Sequence, residues 1–256
     1  MSTMKIVQAS VPRTTTLYIN NAKPPLNDVR VRQAIQSAID VKSLTNDALE
    51  GTVIPAIGPF APSEPFAPPG AQPAPYDLAK AQSLLAEAGI DPKTVTLGLW
   101  AYPGRPDLPT VAVAIQAMLK KLGLTIEVRL ADYNSLEPEA LAGNFDMMIV
   151  SRGHLADVND PLAFMLADYG CKGAYQMSHY CDAGVDEQLA KAGTLSDTTQ
   201  RYAIYREIAA KMQAEAVDVY LYHETEINVQ STRVQGFKIH RLHNYVLTPE
   251  LTLQPK

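Results

Sequence analysis

Val95-Thr96-Leu97-Gly98-Leu99-Trp100 is an apolar run of strand length, and Leu124-Thr125-Ile126-Glu127-Val128-Arg129-Leu130 is a second run in which apolar and polar residues alternate. Between them, residues 111–122 carry apolar side chains at helical spacing. Because crossovers of this kind are right-handed, we expect two parallel strands in one sheet with the helix on its face. The sequence therefore predicts an α/β fold.

A third apolar run follows at 145–150, where only Asp146 interrupts the apolar residues. A run of this kind predicts a strand that is covered on both faces. It leads directly into a polar loop at 151–160. Ligands of open α/β sheets bind beyond the carboxyl ends of the strands, so this loop is the first place to expect a site.

Three aspartates each precede a segment with apolar residues at helical spacing, which predicts N-capped helices. These helices cover 29–39 after Asp28, 78–88 after Asp77 and 198–216 after Asp197. Closing strands are predicted at 217–222, 227–231 and 234–240. The proline-rich stretch 55–75 predicts either an ordered irregular segment or a flexible linker.

The composition is that of a folded protein, since 46% of the 256 residues are hydrophobic. A net charge of -5 with scattered Lys and Arg argues against a nucleic-acid partner. No stretch approaches the roughly 18 to 20 apolar residues that a membrane-spanning helix needs, so no membrane insertion is expected. The first residues lack the features of a secretory signal, so either the protein is cytoplasmic or the sequence starts after its signal.

The two cysteines, Cys171 and Cys181, lie close together in a stretch rich in Gly and Tyr. A disulfide between them would close a short loop and would place the protein in an oxidising compartment. Two alternatives stay open, namely two free buried thiols, or a metal-binding pair completed by His179.

Sequence signatures of enzymes are absent. No His-Glu-x-x-His, Gly-x-Ser-x-Gly, P-loop or Gly-x-Gly-x-x-Gly pattern occurs. We therefore expect neither catalysis nor a cofactor.

Polar and aromatic side chains instead follow two of the predicted strands. Because parallel strands end at the same edge of a sheet, a cation, an anion and aromatic surfaces can converge there on one zwitterionic ligand. In the simpler alternative, Arg152 pairs with Asp157 or Asp160 and Trp100 belongs to the core. The first group is Trp100, Tyr102 and Arg105, and the second is Arg152, His154, Asp157, Asn159 and Asp160.

Three motifs resemble those of the family 5 solute-binding proteins, the peptide, nickel and opine class that serves ABC transporters. They are Pro24-Pro25-Leu26-Asn27-Asp28-Val29-Arg30-Val31-Arg32-Gln33-Ala34-Ile35, then Tyr76 to Gly89, and Ala156 to Phe164. The resemblance implies the C-terminal lobe of a type II periplasmic-binding-protein fold, with a mixed sheet flanked by helices. It also implies a hinge segment at 1–20, the lobe at 21–232, and a segment at 233–256 that returns to an N-terminal lobe.

The resemblance implies roles for the loop residues as well. Asp157 would hold a ligand's α-amino group, Arg105 and Arg152 would grip carboxylates, and His154 would be a candidate contact to a chelated metal. Dipeptide-binding members also place a cysteine pair in the region of Cys171.

The implied function is capture of a small-molecule ligand between two lobes and its delivery to an ABC transporter permease from the periplasmic or extracytoplasmic side. A lone lobe would bind weakly. The alternatives are a ligand-sensing regulatory module of the same fold and a metal-dependent hydrolase built on His154, His179 and Cys181.

Overall fold

The computed structural model describes residues 3–155, 158–242 and 247–255. Within these residues the strands are β1 (Met4–Ile19), β2 (Ile54–Pro55), β3 (Thr96–Ala101), β4 (Thr125–Leu130), β5 (Met147–Gly153), β6 (Asp218–Ser231), β7 (Val234–Gln235) and β8 (Thr252–Leu253). Six of them form one mixed sheet in the order β2-β6-β1-β5-β3-β4, and β7 pairs with β8 separately.

Helices cover both faces of the sheet, and in the described residues none of them has the length and apolar character needed to cross a bilayer. They are α1 (Val29–Ala38), α2 (Val41–Ser43), α3 (Leu78–Glu87), α4 (Asp107–Lys121), α5 (Tyr133–Leu141), α6 (Leu162–Tyr169), α7 (Ala183–Thr194) and α8 (Thr198–Ala214), with a π turn at Leu44–Ala48 and a 3-10 turn at Pro92–Thr94. The predicted caps are confirmed, because Asp28, Asp77 and Asp197 each accept a backbone N–H at the start of α1, α3 and α8.

The predicted strand, helix and strand are confirmed. β3 and β4 are parallel from Thr96 opposite Thr125 to Ala101 opposite Leu130, and β5 lies parallel to β3 on its other side. The helix between them, α4, begins at Asp107, earlier than predicted. Leu108 is fully buried and extends the apolar stripe, while the proline at 109 lies in the first turn, where it costs no hydrogen bond.

The two longest strands were not predicted as such, because β1 was not recognised as a strand and β6 was predicted as two separate strands. The segments predicted at 217–222 and 227–231 form the single strand β6, because β1 pairs with β6 along most of the length of β6. β1 itself lies between β5 and β6 from Thr14 to Tyr18, whereas residues 4–10 pair with β6 alone as a two-stranded ribbon. The strand predicted at 234–240 is restricted to the two residues of β7.

The proline-rich segment is ordered. Its two phenylalanines, Phe60 and Phe66, are fully buried and meet edge to face with ring centroids 4.8 Å apart. They belong to an apolar cluster formed with α6, α7 and α8, while α1, α3 and α4 pack into a second cluster with the sheet. Burial of these rings therefore favours the ordered segment over the flexible linker.

Cys171 and Cys181 form a disulfide, as the spacing favoured. The two alternatives are thereby wrong, since neither free thiols nor a thiolate for a metal remain. The Nε2 atom of His179 lies 2.9 Å from the carbonyl oxygen of Ala140 and is engaged there.

Replacement of both cysteines, Cys171→Ser with Cys181→Ser, is expected to lower the free energy of unfolding by about 3 kcal/mol, because the unfolded chain gains the entropy of an open loop. Urea denaturation of the oxidised protein and the double variant measures the difference. Equal midpoints for the two proteins would contradict a stabilising role for the bond.

His223 joins three segments in the interior. Its Nε2 accepts the backbone N–H of Ile57 at 3.1 Å, so Nδ1 carries the hydrogen and donates it to the Thr14 hydroxyl at 2.9 Å. That hydroxyl donates in turn to the carbonyl oxygen of Pro59 at 2.8 Å. A second ring proton, on Nε2, would point at the backbone N–H of Ile57. Burial, with a smaller effect of His154, lowers the pKa of His223 to about 3.

This low pKa predicts a pH-dependent contribution to stability. The unfolded state binds a proton at His223 below about pH 6.5, so the contribution is complete above that pH and is lost as the pH falls toward 3. We expect the stability difference between the protein and His223→Gln to shrink by about 2 kcal/mol between pH 7.5 and pH 5. Urea denaturation at both pH values measures it.

The prediction concerns the difference between the two proteins because Asp218 changes the free energy of unfolding with pH in the direction opposite to His223. Burial raises its pKa to about 7, so its unfavourable contribution grows as the pH rises from about 4 to 7. That contribution is common to both proteins and cancels in the difference. A difference that stays constant with pH would show that His223 does not remain neutral.

Candidate functional site

A cleft of about 500 Å³ lies beyond the carboxyl ends of β3 and β5, where the sequence predicts a site. Three arginines and three tyrosines dominate its wall, and the described residues that line it include no acidic side chain. The lining residues are Arg13, Tyr102, Gly104, Arg105, Tyr133, Ser151, Arg152, Gly153, Leu155 and Tyr175. Such a wall favours an anionic ligand with an aromatic or apolar part.

A second cleft of about 440 Å³ continues from the first and shares Arg13, Arg105, Gly153 and Leu155 with it. Glu224 and Arg241 are among the residues that complete its wall. The two clefts form one continuous groove along the edge of the sheet.

Arg105 follows β3 and lies at the junction of the two clefts. Its Nη2 donates to Oε2 of Glu224 at 2.5 Å, and its Nε lies 4.0 Å from Oδ1 of Asp107. The side chain is 35% exposed, so the guanidinium group is accessible from the groove. The structure therefore brings Arg105 to the predicted site with a carboxylate already beside it.

Glu224 was not found by sequence reasoning. It lies in β6, and its side chain is only 8% exposed. Oε1 accepts the hydroxyl hydrogens of Thr15 at 2.9 Å and Ser151 at 2.5 Å. The sole sequence signal is a carboxylate directly after an apolar strand, and its partners are too distant in sequence to be recognised.

Arg152 is held on several sides. Its Nε and Nη2 donate to the two carboxylate oxygens of Asp168 at 2.9 and 2.7 Å, and its guanidinium carbon lies 3.8 Å from the ring centroid of Tyr175. Asp168 is fully buried and also accepts the Tyr18 hydroxyl at 3.0 Å. Burial raises the pKa of Asp168, and the Arg152 guanidinium opposes that shift.

Among the described residues the partner of Arg152 is therefore Asp168, and the alternative with Asp160 is wrong. Asp160 pairs with Arg201 at 2.6 Å instead. The alternative with Asp157 lies outside the described residues. Because Asp168 takes the bidentate edge of Arg152 and Tyr175 covers one face of the guanidinium, the Nη1 group is the part of this side chain that is left for hydrogen bonds to a ligand.

The aromatic candidates occupy different positions. Tyr102 lies in the cleft, with its ring 5.0 Å from that of Tyr133 and its hydroxyl accepting the backbone N–H of Ser151 at 3.2 Å. Trp100 is 7% exposed, does not line either cleft, and carries the Arg129 guanidinium 4.6 Å from its ring centroid.

His154 is buried directly behind the cleft. Its ring lies among Phe60, Phe66 and Phe164, with Nε2 3.7 Å from a carboxylate oxygen of Glu64. Burial lowers the pKa of His154, and the nearby Glu64 carboxylate opposes that shift. Its contact with a chelated metal stays a prediction.

The remaining candidates are in the loop after His154. Asn159 is exposed, and Asp157 lies outside the described residues, so the roles predicted for both stay predictions. Among the residues that the structure covers, no group of three His, Cys, Asp or Glu side chains is placed to hold a metal ion.

Comparison with known proteins gives a consistent result. The family model for bacterial extracellular solute-binding proteins, family 5 Middle, matches residues 2–176. Di/tripeptide-binding protein 2 of Pseudomonas aeruginosa is 28% identical over 92% of this chain and 45% of its own length. The nickel-binding periplasmic protein of Escherichia coli is 31% identical over 82% of this chain and 43% of its own length.

Solved structures share the fold. NikA from Staphylococcus aureus, in complex with Ni(L-His)2, superimposes with a TM-score of 0.84 at 22% identity, covering 99% of this chain and 54% of NikA. DppA from Helicobacter pylori, in complex with the peptide STSA, gives 0.83 at 24% identity, covering 100% and 50%. The expected mixed sheet flanked by helices is thus confirmed, and the chain spans about half the length of the relatives it matches.

The buried pair of Arg152 and Asp168 predicts a large loss of stability when one partner is neutralised. We expect Asp168→Asn to lower the free energy of unfolding by about 3 kcal/mol, because it leaves a mostly buried guanidinium without its carboxylate. Urea denaturation measures the loss.

The matched control is Glu139→Gln, which removes the partner of Arg129 in an exposed pair and should cost at most about 1 kcal/mol. A loss for Asp168→Asn no larger than that of the control would contradict the assignment.

Proposed function

Because the chain belongs to the bacterial extracellular solute-binding proteins of family 5, we propose that it forms one wall of the ligand-binding cleft of an ABC importer's capture protein. Members of this family bind solutes and are not enzymes. The disulfide leaves Cys181 without the thiolate that the hydrolase alternative needs. The observation that carries the proposal is the convergence of three arginines and three tyrosines beyond the ends of β3 and β5.

The proposed ligand carries at least one carboxylate. Peptides, opines and metal chelates meet this requirement, and the names of the relatives include both peptide and nickel binders. Arg105 is the cation best placed to receive the carboxylate, because Arg152 has given its bidentate face to Asp168. Tyr102, Tyr133 and Tyr175 offer surfaces for the rest of the ligand.

We propose that the chain divides into a ligand-binding lobe and two segments that lead out of it. Residues 21–232 form the ligand-binding lobe, and 1–20 together with 233–256 connect it to an N-terminal lobe. In support, the ribbon formed by residues 4–10 and 225–231 extends past the sheet with Met4, Ile6, Ile227 and Val229 exposed. Closure of two lobes on the ligand would then present the protein to its permease at the periplasmic or extracytoplasmic face of the membrane.

Because this chain supplies one wall of the proposed cleft, we expect it to bind ligands weakly and at the groove beyond β3 and β5. Titration of the 256-residue chain with alanyl-alanine, an opine or nickel bis-histidine, followed by NMR, should shift the amides of Tyr102, Arg105, Ser151 and Gly153 for at least one ligand. We expect a dissociation constant of about 1 mM or weaker, because half of the contacts are missing.

Arg105→Gln should abolish these shifts, while Arg129→Gln, at an exposed pair outside the groove, should leave them unchanged. Shifts that cluster away from the groove would overturn the proposed site. Micromolar binding by this chain would overturn the proposal that a second wall is needed.

A further inference from the structure

Glu224 lies at an interruption of the β1 and β6 ladder. Ser10 pairs with Thr225 and Thr14 with His223, so residues 11–13 of β1 stand opposite Glu224 alone. An irregularity of this kind redirects the side chains beside it. It also marks the point where the ribbon leaves the sheet, next to the groove.

The Glu224 carboxylate is anchored by groups from other parts of the sheet. Its Oε1 accepts hydroxyl hydrogens from Thr15 of β1 and Ser151 of β5. Because these two bonds occupy one oxygen in a nearly buried position, the carboxylate is fixed and cannot swing out to follow a mobile partner. Its other oxygen, Oε2, is directed at Arg105.

The Arg105 side chain has few contacts other than the one with Glu224 that would fix its position. It lies in the connection between β3 and α4, its Nε is buried without a hydrogen-bond partner, and Asp107 is 4.0 Å away. Within the described residues, Nη2 makes the side chain's hydrogen bond, and that bond goes to Glu224. The position of the guanidinium therefore depends on one carboxylate.

We propose that Glu224 is a positioning residue for ligand capture: it fixes the guanidinium of Arg105 at the junction of the two clefts, with Nη1 left for the ligand's carboxylate. The inference rests on the proposed function, in which Arg105 receives that group. Glu224 itself contacts no ligand in this scheme. It acts through Arg105, and its charge also offsets part of the positive charge that Arg13 and Arg105 bring to the groove.

The test measures the reactivity of individual arginines in Glu224→Gln. Gln keeps an oxygen for the hydroxyls of Thr15 and Ser151, but its amide N–H groups repel Arg105. Phenylglyoxal modification, read out by peptide mass spectrometry, should therefore proceed about ten-fold faster at Arg105 than in the unchanged protein, as expected for loss of one charge-assisted hydrogen bond.

Arg152 serves as the internal reference, because Asp168 holds it independently of Glu224. Its rate should not change, whereas general loosening of the fold would raise both rates. Glu139→Gln is the matched control and should leave the Arg105 rate unchanged. Should Glu224→Gln not fold, Ser151→Ala removes one anchor of the carboxylate and should raise the Arg105 rate by a smaller factor.

An unchanged rate at Arg105 in the folded variant, or an equal rise at Arg105 and Arg152, would overturn the inference. The measurement needs no ligand. Failure of every ligand to shift the groove amides would therefore count against the proposed function alone.

Discussion

The pairing of β1 with two partners at once is the constraint on which the rest of the structure depends. From Thr14 to Tyr18 this strand must satisfy the backbone groups of both β5 and β6, which lie more than 120 residues further along the chain. That requirement brings Arg13, Ser151 and Glu224 together at one edge of the sheet. Backbone hydrogen bonding between the strands therefore fixes the position of the groove, and the side chains then determine its charge.

Charge compensation then gives the groove its character. Three carboxylates with little exposure, Asp168, Glu224 and Glu64, are each matched by an arginine. Such pairs contribute little net stability, but they restrict the arginines to defined positions. In the proposed capture role, a wall that carries fixed cations would select a ligand by the position of its negative charge.

The sequence allowed prediction of the elements that rest on local patterns. The capped helices and the parallel pair of β3 and β4 follow from spacing within about 40 residues. β1 was missed as a strand because Pro12 and the polar run at 13–16 break its pattern, and its partners are remote. The same distance concealed Glu224. Arg152 and Asp168 are only 16 residues apart, but their pairing depends on where α6 lies beside β5, which spacing along the chain does not give. The cleft's location was nevertheless predictable, since it follows from where parallel strands end.

The ribbon beyond the sheet has a consequence for handling the protein in solution. Among the described residues, the backbone of 4–10 is bonded on one side only, and its exposed side chains include Met4 and Ile6. An open strand edge with apolar side chains is a template for edge-to-edge association between molecules. We therefore expect the 256-residue chain to self-associate at high concentration through the open edge of β1, and a lysine at an outward position of the ribbon should reduce this association.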